Sequence, residues 1–378
     1  MANIKTINVA IDSSSWKSPH DVPPSLLSLG NIGSLDIDLD ACLLFAGIWT
    51  RSPITCGITL ADCWAWLRYF PAFKDEKKLK FRTEWTDIDF HQKAVASDEL
   101  GVGFTTWALY SILGFLSYAD TNHVMKKLGT IFPINNAKKG PAKVPDYIAY
   151  DLSGNMSVLE CKGTQTNQGR IWTAIERGKE QKRNVKMANG EQFIHTLAAG
   201  MFIPQDDSNE KALLAIADPE SDWFRNEIKK YNPEQILGSA RQVAIAKELS
   251  LFGLTETAAI LAAPKEEQNN INQKIKHDFD RNQFNNVIKK DGIVAINKEL
   301  IWSIPVRINA VDCIGVRFTG EMPIDELGYL TGDNAEAGLN SRIAEKTLNS
   351  KWSQENHSQG VLELKSPIGA RYKIEWLK

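Results

Sequence analysis

The chain opens on an alternation of apolar and polar positions from Ile4 to Ile11, which predicts a β-strand. The polar, Pro-containing stretch Ser13 to Pro24 predicts a loop. A Trp- and Leu-rich segment, Thr59 to Tyr69, fits a short helix, and the charge run Lys74 to Lys80 reads as a solvated face. Residues 1–90 are therefore expected to form a mixed N-terminal accessory region. From about residue 91 the pattern becomes orderly. A long helix over about 91–118 leads through Lys138-Lys139-Gly140-Pro141 to two short apolar runs, Tyr147–Tyr150 and Ser157–Cys161. Between them lies the turn signal Asp151 to Asn155, so the pair is predicted to be a hairpin. A helix over about 169–187 and two strands, Phe193–Ile203 and Ala212–Ala217, follow. Residues 221–290 read as helical and polar, and the β signal returns in Ile301–Phe318, Gly360–Lys365 and Arg371–Trp376. The expected divisions are 1–90, 91–220, 221–290 and 291–378.

Composition bounds this picture. The chain has 378 residues, 43% of them hydrophobic and 24% charged. At roughly 150 residues per domain that allows two or three domains. These values exclude wholesale disorder, collagen-like repeats and a disulfide-dense scaffold. Cys42, Cys56, Cys63, Cys161 and Cys313 are scattered, with no paired spacing and no His at zinc-ligand distance, so free thiols in a reducing cytoplasm are expected. The first residues carry no leader pattern. Leu100 to Ala119 lacks any charge and is long enough to span a bilayer, but Gly101, Gly103, Thr105, Thr106, Ser111, Gly114 and Ser117 interrupt it. A buried helix is the expected reading, with no membrane partner.

The chemistry gathers in Val144-Pro145-Asp146 and, past the turn, Glu160-Cys161-Lys162. Glu-x-Lys alone carries no weight, since it also occurs at 76–78, 180–182, 227–229 and 363–365. Context raises the copy at 160–162, which closes an apolar strand whose partner begins at the one Pro-Asp pair of the sequence. In a tight hairpin the start of one strand faces the end of the other, so Asp146 and Glu160 are expected to approach. Two close carboxylates are tolerated chiefly with a cation between them. All-oxygen ligation suits Mg2+ or Mn2+, with water filling the remaining positions. Lys162 shares the side-chain direction of Glu160 and would bring an ammonium to the same pocket, able to orient water and offset charge on a phosphate. Cys161 points to the other face, while its backbone carbonyl is placed to be a further ligand.

Pro-Asp, a spacer and Glu-x-Lys resemble the PD-(D/E)XK nuclease superfamily, over roughly residues 91–220. The resemblance implies an α/β (α+β) restriction-endonuclease-like core, a mixed central sheet flanked by helices, with accessory regions at either end. It implies a metal-dependent endonuclease cutting phosphodiester bonds in DNA, in prokaryotic defence against foreign DNA, with Asp146 and Glu160 as metal ligands and Lys162 as the catalytic lysine. Many members add an acid on the preceding helix, for which Glu99 is the candidate. It falls on a stripe with Val95, Val102, Thr106, Leu109 and Leu113; the alternative is a helix N-terminus at Ser97-Asp98-Glu99 favoured by the dipole. Gln181, on the apolar stripe of the following helix with Ile171, Ala174, Ile175, Gly178 and Val185, matches a Gln or Glu that members often carry near the site, and a purely structural role fits it equally.

Charge supports a nucleic-acid partner. The whole chain is close to neutral, at −2, but residues 121–190 hold 12 Lys+Arg against 5 Asp+Glu. Arg170, Arg177, Lys179, Lys182, Arg183 and Lys186 decorate the helix after the motif, where phosphate contacts would add affinity without sequence information. RNA fits the core motif as well as DNA does. A non-catalytic nucleic-acid-binding or assembly subunit of a defence complex is the rival reading. A protein partner there, or a second copy to cut both strands, is compatible with it, although nothing in the sequence marks a dimer face. A Cys161–His195 nucleophile pair is disfavoured because Cys161 points away from the pocket. No phosphate-cradling Gly loop with Lys-Ser/Thr is present.

Overall fold

The computed structural model describes residues 3–54, 69–129, 144–180, 195–218, 231–264, 287–290, 293–323, 352–358 and 360–378. All but Tyr69 of the helix expected over 59–69, residues 221–230 and 265–286 of the helical region expected over 221–290, and Cys56 and Cys63 lie outside these residues.

Strand β1 (Ile4–Ile11) alternates as its sequence demands, with Ile7 and Val9 buried. Lys5 is buried among them because its ammonium reaches the carbonyls of Lys74 (2.9 Å) and Glu76 (2.8 Å). Helix α1 (Pro24–Ile32) ends at Gly33, a left-handed residue at φ 72° whose N–H returns to the Leu29 carbonyl. Strand β2 (Ser34–Asp38) then runs back along β1. Asp38 starts helix α2 (Leu39–Trp49), its carboxylate accepting the N–H groups of Asp40 and Ala41. Apolar almost all round, α2 is buried on nearly every side.

Helix α3 (Phe90–Leu113) begins at Asp89, whose carboxylate accepts the His91 N–H (2.8 Å), and stops at Gly114 (φ 72°). The uncharged run is thus cut in two. Its first part is helix and its end is strand β3 (Ser117–Asp120). Among the described residues no helix is long and apolar enough to cross a membrane. The short helix α4 (Thr121–Lys127) precedes strands β4 (Tyr147–Tyr150) and β5 (Met156–Thr164), helix α5 (Gln168–Glu180), and strands β6 (His195–Phe202) and β7 (Leu213–Ala217).

These strands form one seven-stranded mixed sheet in the order β2-β1-β7-β6-β5-β4-β3. The pairs β1–β7 and β5–β6 are parallel and the others antiparallel. The N-terminal region, expected to be accessory, supplies two strands of the same sheet as the hairpin.

Helices cover both faces. Gly200 of β6 shares a face with Lys162, and a Cβ there would stand 2.5 Å from Ile171 Cδ1, so α5 lies on that side. Ile171 and Ile175 pack with Ala198, Phe202 and Ala215 in a small core. The neighbouring Gly163 points the opposite way, straight at the Ser97 carbonyl of α3. Helix α6 (Pro233–Leu251) and α7 (Thr255–Ala262) add to the larger core, α6 starting at Asn232, whose side chain accepts the Glu234 N–H.

A second, antiparallel sheet is built from β8 (Val287–Lys290), β9 (Ile293–Trp302), β12 (Gly315–Pro323), β13 (Ser353–Ser358), β14 (Val361–Lys365) and β15 (Arg371–Leu377), in the order β13-β14-β15-β12-β9-β8. Residues 287–290, read as the end of a polar helix, are its edge strand: they pair with β9 instead. Between β9 and β12, β10 (Val306–Ile308) and β11 (Val311–Cys313) turn through Asn309 and Ala310, both left-handed at φ 50° and 63°. The sheet is bonded to the helical layer. The Trp352 indole donates to the Leu116 carbonyl (2.7 Å), the Tyr372 hydroxyl to Glu248 (2.7 Å), and the Trp376 indole to Asp40 (3.2 Å).

Candidate active site

The β4–β5 hairpin closes through Asp151, whose carboxylate accepts both the backbone N–H and the side-chain amide of Asn155 at 2.9 Å. Gly154, at φ 80°, supplies the left-handed residue of the turn. The turn sets the register: Tyr147 faces Leu159, so Asp146, one step before, faces Glu160. The mouth of the hairpin is fixed on both sides of Asp146. Its carboxylate Oδ2 accepts the Cys161 N–H (2.8 Å), and its carbonyl accepts the Thr121 N–H from the start of α4 (3.1 Å). Glu160 and Lys162 project from the same face of β5, the Lys162 ammonium 2.6 Å from Glu160 Oε1. Their side chains are 14% and 32% exposed, so the pair is sheltered and still open to solvent.

The electrostatics follow from this arrangement. Burial works against the Lys162 ammonium, but Glu160 and Asp146 outweigh it and hold its pKa above the ordinary lysine value. Cys161 lies on the opposite face in the core. Burial, and after it the charges of Asp146 and Glu160, push its thiol well above the usual range, which makes it a packing group and not a nucleophile. In an extended strand the N–H and C=O of one residue share an edge, so the Cys161 carbonyl faces the Asp146 side.

Asp146, Glu160 and Lys162 thus come together, and Glu99 does not join them: its carboxylate accepts the Tyr69 hydroxyl. At its N-terminal end the inward face of α3 is turned relative to the expected stripe, while Thr106 and Leu109 are buried and Val102 and Leu113 pack on the core as expected. Val95 is 49% exposed, while Ala96, Leu100, Gly103 and Phe104 are buried. Glycine causes the difference. A Cβ at Gly101 would lie 2.6 Å from the Lys162 carbonyl, and one at Gly103 2.4 Å from the Cys42 carbonyl, so α3 meets β5 and α2 along its glycines. The acid this rotation brings near the site is Asp98. Burial raises its pKa, and the nearby Lys162 charge pulls it back down.

Gln165, just past the end of β5, is a second feature the pattern did not reveal. Its amide donates to the Lys93 carbonyl (3.1 Å) and Ser97 Oγ (3.0 Å), and its oxygen accepts the Trp85 indole (2.7 Å) and the Gln205 amide (2.8 Å). It ties four segments at the open end of the strand that carries Glu160 and Lys162. No spacing rule flags a lone glutamine in a loop. Of the basic residues after the motif, Arg170 is exposed at the start of α5, and Arg177 and Lys179 lie along that helix. Gln181, Lys182, Arg183 and Lys186 lie outside the described residues.

The donor set for a cation is the Asp146 carboxylate, the Glu160 carboxylate and the Cys161 carbonyl. Among the described residues, no three His, Cys, Asp or Glu side chains gather so as to hold a metal ion. Two carboxylates with water for the balance fit Mg2+, which retains several waters and takes one or two carboxylates. They lack the His or Cys ligands that zinc sites are built on. Any ion at Glu160 competes with Lys162 for Oε1. Comparison with models of known protein families, with curated proteins and with solved structures found no match to this chain.

Proposed function

We propose that the chain is a metal-dependent nuclease with a restriction-endonuclease-like core, hydrolysing phosphodiester bonds in DNA in prokaryotic defence. One relationship carries the reading: the hairpin register, continued one step past Tyr147–Leu159, sets Asp146 across from Glu160, whose Oε1 lies 2.6 Å from the Lys162 ammonium. Like charges placed opposite in a sheet are destabilising. A chain that keeps them at the mouth of a hairpin, open to solvent, has a use for them. Asp146, Glu160 and the Cys161 carbonyl would hold Mg2+ or Mn2+, which when bound supplies Lewis-acid stabilisation of phosphate charge. Lys162 then has a phosphate oxygen to compensate in place of Glu160, and the basic residues from Arg170 onward would hold the strand backbone. Purified protein with Mg2+ or Mn2+ should nick plasmid DNA, while Lys162→Ala and Asp146→Ala should not. Equal cleavage by all three would end this reading, and an RNA substrate beside the plasmid distinguishes the two sugars.

A second reading is a non-catalytic nucleic-acid-binding or assembly subunit of a defence complex. The closed Glu160–Lys162 pair favours it, since an ion pair that satisfies itself needs no ion. A chain of this kind would bind DNA to the same extent with and without Mn2+ and leave the plasmid intact.

A further inference from the structure

Behind the hairpin, on the face away from Glu160, lies an ammonium that the proposed chemistry does not use. Lys247 of α6 is fully buried. Its Nζ donates to the Trp49 carbonyl at the end of α2 (2.6 Å) and to Asp120, and stands 4.9 Å from the centre of the Tyr147 ring. The Tyr147 hydroxyl donates to that same Trp49 carbonyl (2.8 Å). Two of these partners adjoin Asp146. Tyr147 follows it in the chain, Asp120 pairs with Tyr147 across β3–β4, and Thr121, next to Asp120, donates its N–H to the Asp146 carbonyl. The charge of Asp146 is close enough to act on Lys247.

A buried ion pair is seldom the most stabilising choice, since apolar groups of similar volume serve about as well. What an ammonium provides that a methylene chain does not is direction, because its N–H donors need several acceptors at fixed positions at once. Here those positions lie on α2, β3 and β4. One side chain therefore holds three elements, and two of them, β3 and β4, flank Asp146.

We propose that Lys247 is a positioning residue for Asp146: by gripping Asp120, the end of α2 and Tyr147, it holds the Asp146 carboxylate against the Cys161 amide. This rests on reading Asp146 as a site carboxylate, but its test does not depend on cleavage. The reporter is the Cys161 N–H, which bonds to the Asp146 side chain and not to a neighbouring strand. Amide hydrogen exchange of the full chain, read residue by residue by NMR, is compared for the wild type, Lys247→Met and Asp120→Asn. The expected result is a fall in Cys161 protection of about tenfold or more in both variants, with the amides of Val158 and Leu159 on the same strand unchanged. Should Lys247→Met not fold, Asp120→Asn decides, since its side chain is partly exposed and keeps its shape. Unchanged protection at Cys161, or an equal loss along the whole of β5, overturns the proposal. Plasmid cleavage by the wild type is scored separately, so an inactive protein with a Lys247-dependent Cys161 amide would retire the nuclease reading and leave the positioning role standing.

Discussion

The Asp146 carboxylate takes its hydrogen bond from the backbone N–H of Cys161, the residue between Glu160 and Lys162. The acid of one strand is therefore tied to the frame of the other by a bond that does not involve Lys162. The lysine is the movable member, on a flexible stem and about a third exposed.

Lys162→Met is expected to abolish cleavage while changing stability little. The pair it breaks is partly exposed, so the loss should not exceed about 1 kcal/mol. A fall in plasmid nicking of about a hundredfold or more, with thermal unfolding nearly unchanged, checks this. A variant that cuts like the wild type removes Lys162 from the chemistry.

Gly163→Ala should be among the most damaging single changes in the chain. The added Cβ would fall 1.7 Å from the Ser97 carbonyl, and the nearest atoms it meets are all backbone of α3. A cost of about 3 kcal/mol or more is expected in urea unfolding. Gly200→Ala meets side chains only, the flexible end of Ile171 and, at 3.2 Å, Lys162 Cβ, and should cost about 1 kcal/mol. Equal, small effects at both positions would contradict the close approach of α3 to β5.

The contact between α6 and the second sheet is expected to weaken as pH rises. Burial lifts the Glu248 carboxyl from 4.5 to about 7, against the Tyr372 hydroxyl bond that pulls the other way. The folded chain thus holds this proton more tightly than the unfolded one. Its stabilising contribution is complete below pH 4.5 and is lost as pH climbs through about 7, a change on the order of 3 kcal/mol. Glu248→Gln keeps the acceptor for Tyr372 and removes the charge, so it should be more stable than the wild type at pH 8, with the advantage vanishing toward pH 5. Parallel pH curves for the two proteins would refute this.

The hairpin was legible because turn chemistry and apolar alternation agree there: Asp151 to Asn155 fix the loop, and the loop fixes the register that opposes Asp146 and Glu160. The face of α3 was read correctly at Thr106 and Leu109 and misjudged at its start for a physical reason. Hydrophobic patterning weighs Val95 and ignores Gly101 and Gly103, whereas close packing against β5 and α2 selects the glycines. That one rotation separates Glu99, bonded to Tyr69, from Asp98, beside Lys162. The union of β1 with β7 was illegible for another reason: strand pairing across so much sequence is decided by tertiary packing and leaves no local period. Lys247, in a helix read only for its apolar rhythm, left no signal in the pattern at all.

Whether Asp146 and Glu160 form one cation site is decided by calorimetric titration of the full chain with Mn2+. Saturable binding of one ion per chain is expected, weakened about tenfold or more by Asp146→Asn and by Glu160→Gln and untouched by Glu99→Gln. A wild-type protein that takes up no Mn2+, or an Asp146→Asn variant that binds it equally well, would rule out a cation held by this pair.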